Sequence, residues 1–97
     1  MPPPTELPRV IHVPLASRFE MLAEGYTAVL EYKLQGDTIE FTHTGVPAEL
    51  EGRGIGSQLA HTALDYARQH SLKVISSCWF VTGYIERHKE YQDLLKD

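Results

Sequence analysis

Residues 38–44 alternate Ile39, Phe41 and His43 against Glu40, Thr42 and Thr44, the period-two pattern of a strand with one buried face. The same pattern predicts strands over 9–13, ended by Pro14, over 18–23, and over 26–34, where Tyr26, Ala28, Leu30 and Tyr32 share one parity. Gly25 marks a turn, and Gln35, Gly36 and Asp37 read as a tight hairpin. These four segments predict an antiparallel meander. The period then changes. Over 54–70, Ile55, Leu59, Ala60, Ala63, Leu64 and Ala67 fall on one half of a helical wheel, with Ser57, Gln58, His61, Asp65, Arg68 and Gln69 on the other. Residues 73–81 are nearly uncharged and predict a buried strand. The helix before them acts as a crossover, so this strand is expected parallel to that of 38–44. Helical turns over 83–88 and 90–96 close the chain. The order is β-β-β-β-α-β-α, an α+β arrangement around a mixed sheet.

Composition narrows the class. Of 97 residues, 42% are hydrophobic and 23% charged, ordinary values for a chain with one modest core. We expect a single domain over residues 9–97. Residues 1–8 hold four of the six prolines and read as a disordered or extended leader. The formal net charge is −4 and Lys and Arg form no cluster, which argues against a nucleic-acid partner. No run approaches the roughly 18 apolar residues of a membrane span, and the first residues lack a basic then apolar signal pattern. The single cysteine, Cys78, permits no internal disulfide. The expectation is a cytoplasmic protein without a membrane partner.

The chemistry-bearing feature is the loop before the long helix, with Gly52, Gly54 and Gly56 at alternate positions. Glycines let a ligand approach the backbone closely. A helix start offers unpaired N–H donors and the positive end of the dipole, a site for phosphate or diphosphate. The spacing is not a dinucleotide fingerprint, because the third glycine comes one residue early. It is not a P-loop, because the lysine is missing. Taken alone, the loop reads either as an anion cradle or as a turn that lets a helix pack closely.

The stretch 46–59, with Gly52, Arg53, Gly54 and Gly56, resembles motif A of the GNAT superfamily of acyl-CoA-dependent N-acyltransferases. Glu51 stands where that motif usually has Gln or Arg. His43, Thr44, Val46, Pro47, the run 63–68, Val74, Ile75, Cys78, Tyr84, Ile85, His88, Tyr91 and Leu94 extend the resemblance to the small single-domain GNAT-like N-acetyltransferases over roughly residues 18–95. The resemblance implies a compact α/β-type GNAT core lacking the usual C-terminal strands, with a parallel strand pair splayed around a coenzyme A cleft. It implies acetyl-CoA as co-substrate and transfer of the acetyl group to a primary amine. The alternative is a coenzyme A-binding module that acts through protein contacts without efficient catalysis.

By the same resemblance, pantetheine lies along Thr44, Gly45 and Val46. The diphosphate rests on the amides of Arg53, Gly54, Ile55, Gly56 and Ser57, next to Gly52, with charge from Arg53. Three side chains are candidates for the chemistry. Cys78, expected at the end of the last strand, either accepts the acyl group, lines the acetyl pocket or packs as a small hydrophobe. His43, on the parity of Ile39 and Phe41, is either a general base or a hydrogen-bonded core histidine. Tyr84 either protonates the departing thiolate or packs a helix. His88 joins the cofactor site and, with His43, is a candidate base for Cys78. Direct transfer in a ternary complex is preferred over an acyl-Cys78 intermediate. Glu31 and Glu40 are alternative bases expected to face solvent, and Trp79 and Phe80 are read as core residues, one of them a candidate to cover the cleft or meet a partner. No metal-ligand spacing is present. A monomer or weak homodimer is expected, because the missing C-terminal strands would leave a sheet edge open.

Overall fold

Four strands follow one another as antiparallel neighbours: β1 (Val10–Val13), β2 (Arg18–Ala23), β3 (Tyr26–Gln35) and β4 (Thr38–Gly45). In the computed structural model, which describes residues 9–96, a fifth strand, β5 (Lys73–Ser76), pairs parallel to β4 and completes a sheet in chain order. The β2–β3 hairpin turns through Glu24 and Gly25, both at positive φ (53° and 83°). A two-residue turn of this hand matches the right-handed twist of the strands it joins. The leader expected over residues 1–8 lies outside the described residues.

Helix α1 (Ile55–Gln69) crosses from β4 to β5, as its apolar stripe predicts. All six stripe residues are buried, and Ala60, Ala63 and Ala67 let the helix approach the sheet closely. Against them pack Phe19, Met21, Ala28, Leu30, Tyr32, Ile39, Phe41 and Val74 from one face of the sheet. Among the described residues no helix covers the opposite face. That face presents Ile11, Leu22 and Ile75 to solvent among Glu20, Glu31, Lys33 and Glu40.

The strand expected over 73–81 is corrected. β5 stops at Ser76, and Trp79–Arg87 is a second helix, α2. The Ser77 amide donates to Phe41 O at 2.9 Å, a backbone hydrogen bond that continues the β4–β5 pairing one residue past β5. After it Val81, Tyr84 and Ile85 bury one face at helical spacing while Trp79, Thr82 and Glu86 face out. The run of β-forming residues is too short for its periodicity to separate strand from helix; packing on the core decides for helix.

A 3₁₀ segment (Lys89–Leu94) comes after α2 and is tied to α1. Arg68 donates to both carboxylate oxygens of Asp93 at 3.0 Å and to Glu90 O, while the Tyr91 hydroxyl donates to Asp65 at 2.7 Å and meets His61 Nδ1 at 2.9 Å. Beyond it Leu95 bridges Val74, and the Lys96 amide donates to Val74 O at 2.8 Å. This part of the β5 edge is therefore paired. No helix among the described residues is long and apolar enough to cross a membrane.

Candidate functional site

The site forms where β4 outruns β5. Beyond Phe41, the last residue in register with β5, β4 runs on to Gly45 paired with β3 alone, its β5-side edge open. A bulge falls in this part of the strand: Tyr32 opposes Phe41, whereas the preceding residue of β3, Glu31, opposes His43, so Thr42 is an extra residue. The bulge reverses the parity of the strand beyond it. Thr44 now opposes Leu30 and faces the α1 side, while His43 opposes Glu31 on the open face and is exposed. The expectation that His43 shares a face with Ile39 and Phe41 is thus corrected, because strict alternation does not survive a bulge. The imidazole lies over Gly45, where an added Cβ would come 3.1 Å from His43 Nε2.

The glycines of the loop serve two different ends. Gly52 and Gly54 sit at φ 81° and 73°, in the left-handed region that a side chain disfavours, with open space where a Cβ would be. Gly54 is the N-cap of α1 and places the helix start toward the end of β4; no side chain caps it. The amides of Ile55, Gly56 and Ser57 then have no partner within the helix, whose first bond runs from the Gln58 amide to Gly54 O at 3.0 Å. Gly56 has ordinary helical φ, and its need is packing: a Cβ there would lie 2.7 Å from Phe80 Cζ. The first turn of α2 therefore rests on the first turn of α1.

Between these elements lies a cavity of about 410 Å³, lined by Thr44, Val46, Leu50, Glu51, Gly52, Gly54, Ile55, Gly56, Ser57, Trp79 and Phe80. Seven of the residues predicted from sequence are brought together in it. Leu50, Glu51, Trp79 and Phe80 were not among the predicted site residues. Leu50 is the apolar anchor of a 3₁₀ turn (Ala48–Leu50) that starts the loop. A glycine in a helical first turn signals that something packs closely there, but not that Phe80 does. The reading of Trp79 as a core residue is corrected, since it is 85% exposed.

Cys78 lies behind the cavity wall, as the N-cap of α2 rather than the end of a strand. Its Sγ is 3.3 Å from the Thr44 hydroxyl, across the gap where β4 and the β5 segment part. Burial pushes the thiol pKa up. The Thr44 hydroxyl and the amides of Val81, Phe80 and Thr44 favour the thiolate more strongly, so the net shift is downward. No imidazole of the predicted set stands beside it. His43 is on the other face of β4, and His88 caps the far end of α2, ten residues or about 15 Å along the helix axis.

Tyr84 and His88 form a separate unit. Their rings stack at 3.9 Å, and His88 Nδ1 lies 2.9 Å from Tyr84 O, a carbonyl that can only accept, so the Nδ1–H tautomer makes the contact. The Tyr84 phenol is buried and its pKa is raised, by burial first and by Glu90 and Asp65 next. Neither residue lines the cavity. Arg53 is also turned away: it is outside the lining, and its guanidinium pairs with Glu24 in the β2–β3 turn. The positive character of the cavity therefore comes from the helix start, with Glu51 on its rim. Among the described residues no group of three His, Cys, Asp or Glu is placed to hold a metal.

The chain matches the family described as GCN5-related N-acetyl-transferase over residues 18–94. It is 37% identical over 62 residues to Protein NATD1 of Xenopus tropicalis, covering 63% of this chain and 57% of that protein. It is 39% identical over 62 residues to Protein NATD1 of Homo sapiens, covering 63% and 55%. The match thus spans little more than half the length of these curated relatives. The fold is similar to the NMR solution structure of a GCN5-like protein from Staphylococcus aureus, with a TM-score of 0.72 and 30% identity over 91% of this chain and 87% of that one. Because the family match takes in β2, β3, β4, the glycine loop, α1, β5 and α2, the chain belongs to the GCN5-related N-acetyltransferase family.

Proposed function

We propose that this protein is an acetyl-CoA-dependent N-acetyltransferase that moves the acetyl group to a primary amine. The observation that carries the reading is the free amides of Ile55, Gly56 and Ser57 at the cavity, next to a strand end with unpaired backbone. A diphosphate finds its donors at the helix start. The pantetheine arm finds strand-type partners along Thr44, Gly45 and Val46, as in β-augmentation. The thioester then reaches the gap marked by Thr44 and Cys78.

The acceptor approaches from the other side, over the open face of the sheet. There its nitrogen attacks the thioester carbonyl carbon, the C–S bond breaks, and the amine proton passes to His43, the exposed imidazole on that face, flanked by Glu31. The departing thiolate leaves beside the Thr44 hydroxyl and the Cys78 thiol. Holding both substrates at one gap supplies the proximity contribution. The distance of His43 and His88 from Cys78 supports direct transfer over an acyl-Cys78 intermediate, since a nucleophilic thiol needs an adjacent base.

Ser57→Glu tests the cradle. A carboxylate at the third helical position suits the helix dipole, so the variant keeps its melting temperature, while the carboxylate occupies the diphosphate donors. Calorimetry is expected to show acetyl-CoA binding weakened at least about tenfold. Equal binding by both proteins would remove the cradle. Release of free coenzyme A thiol across a panel of primary amines tests the chemistry. Binding without release for any amine would leave a coenzyme A-binding module instead.

A further inference from the structure

One wall of the cavity has no task in the proposed transfer. Trp79 is the single tryptophan of the chain and the first residue of α2, and it is 85% exposed. Tryptophan is highly buried on average, so this exposure leaves a large apolar surface in water. Its ring meets Phe80 edge-on, with centroids 5.9 Å apart and planes at 73°, an arrangement that does not cover the indole by parallel stacking. Phe80 in turn rests on Gly56, whose amide is one of the free donors. Trp79 is therefore held at the rim beside the helix start, whereas its neighbour Cys78 turns inward to Thr44.

We infer that Trp79 is the nucleobase platform of this site, its indole stacking on the adenine of coenzyme A. The inference rests on the coenzyme A reading and assigns the adenosine end of that ligand. With the diphosphate on the helix start, adenine is the flat aromatic group tethered to it through one ribose; pantetheine and acetyl carry no aromatic ring. The acceptor is not the occupant, because in the proposed transfer it comes from the open face of the sheet. Aromatic side chains bind bases through stacking that needs no hydrogen-bond readout.

Because Trp79 is the single tryptophan, its emission reports the contact directly. Acetyl-CoA and adenosine 3′,5′-bisphosphate are expected to quench it in the wild-type chain, and 4′-phosphopantetheine to leave it unchanged. In calorimetry, Trp79→Ala is expected to bind acetyl-CoA about tenfold more weakly and 4′-phosphopantetheine as the wild type does. Trp79→Phe is expected to restore most of the acetyl-CoA affinity. Acetyl-CoA binding with no change in emission and no loss in Trp79→Ala would overturn this inference and leave the coenzyme A reading standing. An equal loss for 4′-phosphopantetheine would also overturn it, by moving Trp79 to the pantetheine wall. No heat with acetyl-CoA in the wild type would overturn both.

Discussion

At the residue scale, the loop glycines make distinct predictions because they are needed for distinct reasons. Alanine at Gly54 meets no atom but must adopt φ 73°, costing about 1–2 kcal/mol of stability. Alanine at Gly56 has no conformational problem and gains helix propensity, but it drives a methyl into the Phe80 ring, costing about 1–2 kcal/mol net. Combined with Phe80→Ala, the Gly56→Ala cost is expected to vanish or change sign, whereas that of Gly54→Ala persists. Urea denaturation of the four proteins and the two doubles reads this, and additivity at Gly56 would contradict the packing account. For Cys78, hydrogen bonds outweigh burial, so the pH midpoint of its alkylation rate is expected below that of an ordinary thiol. Thr44→Val should raise the midpoint. The loop was visible in sequence as three glycines; which of them bends the chain and which admits a neighbour depended on Phe80, twenty-four residues further on.

At the element scale, the outcome turns on the Thr42 bulge and on the end of β5. An alternating sequence cannot announce an extra residue, since the bulge is set by how β3 and β4 meet. His43→Ala tests the bulge without any ligand. On the open face this change is expected to alter stability by under about 0.5 kcal/mol, whereas loss of a buried, hydrogen-bonded histidine costs about 1–3 kcal/mol. A large loss in thermal denaturation would return His43 to the core face. The tie between α1 and the C-terminal segment gives the opposite case. Tyr91→Phe removes the hydroxyl that donates to Asp65 and meets His61 on a buried ring, and it is expected to cost about 1–3 kcal/mol. The helical stripe of α1 was legible because period 3.6 persisted through fifteen residues. The residues 78–81 carried no such record, and packing of Val81, Tyr84 and Ile85 made them helical.

At the scale of the whole molecule, a histidine of the first strand packs that strand against the long helix. His12 stacks on Phe19 at 4.3 Å, meets Tyr66 edge-on at 4.5 Å and lies 2.6 Å from the Tyr32 hydroxyl. Burial, then the nearby His70, lowers its pKa from 6.5. The unfolded chain takes up the proton first as pH falls, so this stability is complete above about 6.5 and is lost as pH drops through the folded value. The melting temperature is expected to decline across that window, and His12→Gln to flatten the decline; parallel profiles for the two proteins would count against it. The sequence by itself determined the four-strand meander, the amphipathic crossover helix and the glycine loop, because hydrophobic period and turn chemistry are local. Only the tertiary structure decided that Thr44 turns inward and His43 outward, that Cys78 starts a helix, that Arg53 pairs with Glu24, and that Trp79 stands at the rim. Each of these comes from contacts between segments far apart in the chain, which a periodic pattern does not encode.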